Sequence, residues 1–173
     1  RELLPYQKQV IEKIQLGNHG IIQAPTGRGK TQAIALGIVA FCLANKCRPK
    51  LLWVTPMRAL ANDTLEQLTL IFNYFFPDIV VCLRTGDSSS YQKKKIKTFA
   101  WDILISTPES CALFSTYQDM RDNLSQVNFL VVDEWHVLIG EKRGALFELF
   151  LSWLASFNFK FKRWALSATF SDI

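Results

Sequence analysis

The chain predicts an α/β fold, a parallel β-sheet sandwiched by helices, on three observations. Short β-rich runs alternate with longer helical patterns along all 173 residues. The β-rich runs are continuously apolar rather than alternating, as strands covered on both faces are. A glycine-containing loop joins the first strand pattern to a helix, the order that a phosphate cradle needs. The length fits one domain with a sizeable core, and right-handed strand–helix crossovers would build it.

In chain order, residues 5–16 predict a helix and residues 21–23, ending the run Gly20-Ile21-Ile22, a first strand. Residues 29–44 predict the next helix; its stretch 33–44 is the longest apolar run, too short to span a bilayer and suited to packing on a sheet. A strand at 51–55 and a helix at 57–76 follow, then a strand at 79–84 and a turn-rich stretch at 86–90 (Gly-Asp-Ser-Ser-Ser). Strands at 103–106, 129–133 and 163–167 alternate with helices at 108–114 and 144–157. The last of these carries three Phe and one Trp, a core-packing pattern that could also face a neighbouring domain. No internal repeat or low-complexity segment interrupts this order.

Residues 24–31 read Ala24, Pro25, Thr26, Gly27, Arg28, Gly29, Lys30, Thr31. Gly27 and Gly29 allow positive φ, so backbone N–H groups can close on an anion at the start of the following helix. Lys30 can reach the β- and γ-phosphates, and the Thr31 hydroxyl can ligate Mg²⁺. The usual phosphate-loop pattern opens with Gly, and here Ala24 stands first. Asp133 and Glu134 close the strand Phe129-Leu130-Val131-Val132. A carboxylate at the end of so apolar a run needs a cation or a partner. Mg²⁺ held between Thr31, Asp133 and phosphate oxygens would be that cation, with Glu134 left to polarise an attacking water.

In a parallel sheet, ligands gather at the carboxyl ends of strands. Hydroxyls and carboxylates collect at those ends: Thr55-Pro56, Thr85-Gly86-Asp87, Thr107-Pro108-Glu109, Asp133-Glu134 and Ser167-Ala168-Thr169. The net charge of +5 is uneven; residues 1–100 carry 14 Lys and Arg against 6 Asp and Glu, with a local run at residues 93–97. A polyanionic partner such as nucleic acid fits that balance. The four cysteines lack metal-binding spacing and the two histidines stand apart, so the spacing predicts structural thiols in a reducing compartment and no zinc site. No leader-like segment opens the chain, and it begins at Arg1 rather than Met, so a piece of a longer protein is expected.

Residues 24–31, the tetrad Asp133-Glu134-Trp135-His136 and Ser167-Ala168-Thr169 resemble motifs I, II and III of superfamily 2 DExH-box helicases. Ala24 in place of Gly is common in that superfamily. The stretches 53–60, 84–90, 105–110, 133–138 and Lys142-Arg143-Gly144 are similar to the large helicase-related (Lhr) group with its ligase-associated members. The resemblance runs from about residue 5 to 169. It implies a RecA-like P-loop NTPase fold and a helicase ATP-binding domain over residues 1–173, the first of two RecA-like domains, the second lying outside this chain. It implies ATP and Mg²⁺ as cofactors, Lys30, Asp133, Glu134 and His136 as catalytic residues, and Gln7 with residues 24–31 as the nucleotide site. Gln7 would read adenine through its amide, and His136 would couple the nucleotide site to Ser167 or Thr169. Thr55, Pro56, Arg58, Thr85, Gly86, Asp87, Thr107, Pro108 and Glu109 would track a nucleic-acid strand by its backbone, without reading bases; Lys142 and Arg143 could add contacts.

The resemblance therefore implies an ATP-dependent helicase or translocase on DNA, moving 3′ to 5′, cytoplasmic, free of membrane and tied to DNA repair. An RNA helicase of DExH type and a non-hydrolysing nucleic-acid clamp are the alternatives, with a P-loop kinase the rival from another enzyme class. Arginines of the second RecA-like domain would complete the site, so the 173-residue piece alone is expected to hydrolyse ATP negligibly.

Overall fold

The computed structural model describes residues 2–86, 88–117, 119–157 and 160–168, with the backbone only at 90–93. Six parallel strands form one sheet: β1 Gly20–Gln23, β2 Leu51–Val54, β3 Val81–Arg84, β4 Ile103–Ser106, β5 Phe129–Val132 and β6 Lys162–Ser167, in the order β1-β6-β5-β2-β4-β3. This is the RecA-like arrangement. Seven α-helices surround it: α1 Pro5–Gln15, α2 Lys30–Ala44, α3 Arg58–Phe75, α4 Ser90–Lys97, α5 Pro108–Ala112, α6 Met120–Ser125 and α7 Lys142–Ala155. Short 3-10 turns at Leu113–Thr116 and Trp135–Leu138 complete the described elements.

The continuous apolar strands are explained by two cores. On one face, Leu51, Trp53, Ile103, Ile105, Phe129 and Val131 pack under α1, α2 and α3 through Ile14, Ile34, Ile38, Leu68 and Phe72. On the other, Leu52, Val54, Leu104 and Leu130 meet Ile96, Cys111, Phe114, Met120, Phe147 and Phe150 of the later helices. All four residues of the central strand β2 are buried, since neither face of it meets water. Edge strand β1 differs: Ile21 is 65% exposed and lines a cleft beside Trp164. All four cysteines are free thiols, three of them buried.

Every expected strand and helix is present, with ends shifted by two residues or fewer. Two helices are additional. Lysine-rich α4 follows the turn-rich stretch and buries Ile96 among its described side chains, so its sequence reads as a charged loop. Helix α6 has six residues and contributes only Met120 and Leu124 to the core, too short for periodicity to register.

At the amino-terminal edge of the sheet, Asp102 is buried and multiply held. It accepts from Arg48 Nε and Nη2 at 3.0 Å each and from the Val80 amide at 2.9 Å, with Lys50 Nζ 3.3 Å away. Burial pushes this carboxyl up, but Arg48, then the Val80 amide and Lys50, outweigh it and hold it below the usual carboxylate range. The cluster fastens the chain before β2 to the start of β4.

Candidate functional site

Because all six strands are parallel, their carboxyl ends share one edge. A belt of buried polar residues lines it: Lys30, Thr55, Thr85, Ser106, Thr107, Asp133 and Ser167. The loop after β1 turns through positive φ at Gly27 (73°) and Gly29 (78°), and Gly29 caps α2 in the left-handed region. The positive φ at Gly29 favours glycine, and a Cβ there would sit 2.6 Å from Gln7 Nε2 and displace that amide. Lys30 folds back into its own loop, its ammonium donating to Ala24 O at 2.7 Å and Pro25 O at 3.3 Å. Pro25, Thr26, Gly27 and Arg28 are exposed above it.

Gln7, at the start of α1, is buried. Its Oε1 accepts from the Leu4 amide at 2.9 Å, and its Nε2 donates to Gly29 O at 3.0 Å and more weakly to Arg28 O at 3.4 Å. Tyr6, its neighbour, also donates its hydroxyl to Arg28 O. Helix α1 thus braces the loop from outside, a contact that sequence spacing could not foretell.

Across the loop, Asp133 follows β5 and is 8% exposed, with its Oδ1 accepting from the Glu134 amide at 2.9 Å. Burial, then the neighbouring Glu134 charge, pushes its carboxyl pKa up to about 6, against the smaller pull of the Glu134 amide, Lys30 and Trp53. Glu134 takes a left-handed backbone (φ 43°, ψ 43°), rare for a side-chain-bearing residue, which starts the 3-10 turn. That turn swings its carboxylate to 4.0 Å from Lys30 Nζ and 3.4 Å from His136 Nδ1. His136 Nδ1 also lies 3.0 Å from Ser167 Oγ at the end of β6. Ser167 Oγ also lies 2.9 Å from Ala168 O. A continuous polar chain therefore runs Lys30, Glu134, His136, Ser167. Thr169 lies outside the described residues.

Between loop and strand ends is a cavity of about 400 Å³ lined by Thr26, Gly27, Lys30, Thr31, Asp133 and Glu134. Its far wall is α3, through Leu60, Asp63, Thr64 and Gln67. Sequence reasoning passed over these four. Their i, i+3, i+4, i+7 spacing was the available signal, but it reads equally as an ordinary helix face.

The residues expected to meet a nucleic-acid strand divide by exposure. Thr55 is fully buried, and Pro56, Thr85, Thr107 and Pro108 are buried as well. Thr107 caps α5, its Oγ1 accepting from the Ser110 amide at 3.4 Å, so its hydroxyl is spent on the fold. Arg58 and Gly86 face solvent together; a Cβ on Gly86 would come within 2.7 Å of Arg58 Nη2, so these two motifs touch. Glu109 pairs with Arg143 Nε at 2.9 Å, and Arg143 Nη1 donates to Pro56 O at 3.3 Å. Asp87 lies outside the described residues.

Residues 4–173 match the profile of the DEAD/DEAH box helicases. The chain belongs to that family. Among its helicase relatives, the ATP-dependent helicase Lhr-Core of Sulfolobus acidocaldarius is 38% identical over 98% of this chain and 21% of its own length. The Lhr helicase/uracil glycosylase of Escherichia coli is 31% identical over 87% of this chain and 11% of its own. The structure of the Mycobacterium smegmatis helicase Lhr bound to ssDNA and AMP-PNP superposes with a TM-score of 0.77 at 33% identity, covering 96% of this chain and 23% of that one. The chain thus spans about a fifth of the length of the Lhr-Core relatives it matches. Among the described residues, no helix is long and apolar enough to cross a membrane.

Proposed function

We propose that this chain is the first RecA-like, ATP-binding domain of an ATP-dependent DNA helicase of Lhr type, a DExH-box motor that tracks along one strand. The carrying observation is the unbroken polar chain from Lys30 through Glu134 and His136 to Ser167, built around a cavity that opens at the phosphate loop. The helicase Lhr of Mycobacterium smegmatis, which that solved structure holds with ssDNA and AMP-PNP, supports both ligands.

The amides of residues 26–30 and the Lys30 ammonium bind the phosphates, the lysine leaving Ala24 O and Pro25 O for the anion. Thr31 and Asp133 supply hard oxygen donors on the same cavity, the set that suits Mg²⁺ completed by phosphate oxygens and water. Such an ion would neutralise charge on the phosphates as the γ-phosphoryl leaves. Glu134 holds the attacking water and accepts its proton. His136 orients the Glu134 carboxylate and passes its position to Ser167, and Thr169 would extend that link. Gln7 reads adenine by exchanging its bond to Gly29 O for the base. Arg58, the exposed Gly86 backbone and Arg143 bind strand phosphates, with Asp87 among the strand-tracking residues, while Thr55, Pro56, Thr85, Thr107, Pro108 and Glu109 hold those groups in place. Phosphate contacts carry no sequence information, which suits a motor that must move along any sequence. A second RecA-like domain of the same protein completes the cleft. Free thiols fit the reducing cytoplasm, and a role in DNA repair follows from the ligase-associated likeness.

The test uses the full-length protein. Glu134→Gln is expected to lower nucleic-acid-stimulated ATPase by about 10²–10⁴-fold while single-strand binding stays intact. Undiminished ATPase would reject the assignment of the base. Strand displacement on DNA, RNA and hybrid duplexes then decides the substrate, with preference for DNA expected.

A further inference from the structure

Two orphaned polar atoms lie on the sheet face that carries Asp133. Trp53 Nε1 and Thr55 Oγ1 are buried without a hydrogen-bond partner among the described residues; the third such atom, Trp135 Nε1, belongs to the 3-10 turn. An unpaired buried N–H or O–H costs about 1–3 kcal/mol, so two of them at neighbouring same-face positions need a reason. Side chains at positions 53 and 55 share a face because strands alternate. Trp53 pairs with Val131, and the Asp133 amide donates to Val54 O at 2.7 Å, which sets Asp133 on that same face, under α2. The wholly buried Trp53 lies close enough to the Asp133 carboxylate for its indole N–H to help hold that pKa down, yet the pair falls short of full hydrogen-bond geometry. Asp133 Oδ1 is already taken by the Glu134 amide.

We propose that Trp53 and Thr55 are positioning residues for Asp133, holding its second oxygen in the orientation that takes a divalent cation. The inference rests on the reading of Asp133 as the cation's protein carboxylate. It also gives Thr55 a task that its complete burial allows, where contact with a nucleic-acid strand is closed to its hydroxyl. A phenyl ring at position 53 would fill much of the indole's space but bring no proton to the carboxylate.

The experiment measures Mn²⁺ uptake by electron paramagnetic resonance in the presence of ADP, on the full-length protein and on Trp53→Phe, Thr55→Val and Thr55→Ser. ADP affinity in EDTA and the melting temperature are recorded beside it. Trp53→Phe and Thr55→Val are expected to weaken Mn²⁺ binding by about 10- to 100-fold, the usual effect of losing an outer-shell partner. Thr55→Ser should restore it, and ADP affinity in EDTA should not change. A merely structural indole predicts the reverse pattern: unchanged Mn²⁺ affinity and an unchanged or raised melting temperature, because an orphaned donor has been removed. Wild-type Mn²⁺ affinity in folded Trp53→Phe or in Thr55→Val overturns the inference, and Thr55→Val decides alone if Trp53→Phe does not fold. Failure of the unsubstituted protein to take up Mn²⁺ with ADP overturns the reading of Asp133 itself.

Discussion

Asp133 carries a charge that the apoprotein does not welcome. Its pKa of about 6 lies above the ordinary carboxylate value, near ~4, so the folded state holds the proton more tightly than the unfolded chain. The stability it contributes is complete below about pH 4 and is lost as pH rises through 6. Asp133→Asn should therefore stabilise the metal-free protein at pH 7.5 by about 2 kcal/mol, and the gain should vanish near pH 4 in urea denaturation. Asp102 behaves oppositely. Held below the usual range, it adds stability at neutral pH that disappears as pH falls below about 4 through its folded value. Asp102→Asn should cost about 2 kcal/mol at pH 7, less than a fully buried pair because Arg48 keeps nearly half its side-chain surface in water. Of these two acids only Asp133 was legible, since carboxylates after an apolar strand announce a site. Asp102 precedes its strand and owes its burial to Arg48 and Lys50, a long way off in sequence. Nor does the tetrad reveal that Glu134 bends through left-handed space to aim at Lys30 and His136.

Helix α7 illustrates what an element owes to a single close approach. A Cβ on Gly144 would fall 1.9 Å from Leu138 O, so the first turn of α7 lies directly on the backbone of the 3-10 turn that carries His136. Gly144→Ala should cost about 1–3 kcal/mol in chemical denaturation, by overpacking against an atom that cannot rotate away. It should also lower ATPase in the full-length protein, because the Glu134–His136 turn must shift to make room. The sequence places Gly144 at the head of an apolar helix, where it reads as a weak helix former. Only the fold turns it into a contact. Strands and long helices were readable because burial on both faces writes itself as apolar runs, whereas α4 and α6 bury too little to leave such a trace.

Across the whole molecule, chemistry and connectivity are separated. The cavity draws on residues 26–67 and on 133 and 134, yet β1, the strand that launches the phosphate loop, pairs in the described sheet with β6 alone, Gly20 lying opposite Trp164. Pairing so distant in sequence is slow to form, because loop closure precedes its reward. In pulse-labelled hydrogen exchange during refolding, the Ile22 amide should gain protection no earlier than those of β6, and later than those of β2, β4 and β5. On the ribosome the same fact becomes one of timing. The loop destined to grip phosphate is made long before β6, and its strand waits without that pairing partner until position 167 has been added. A translational pause before β6 should therefore leave this segment open to proteases at its longest exposure.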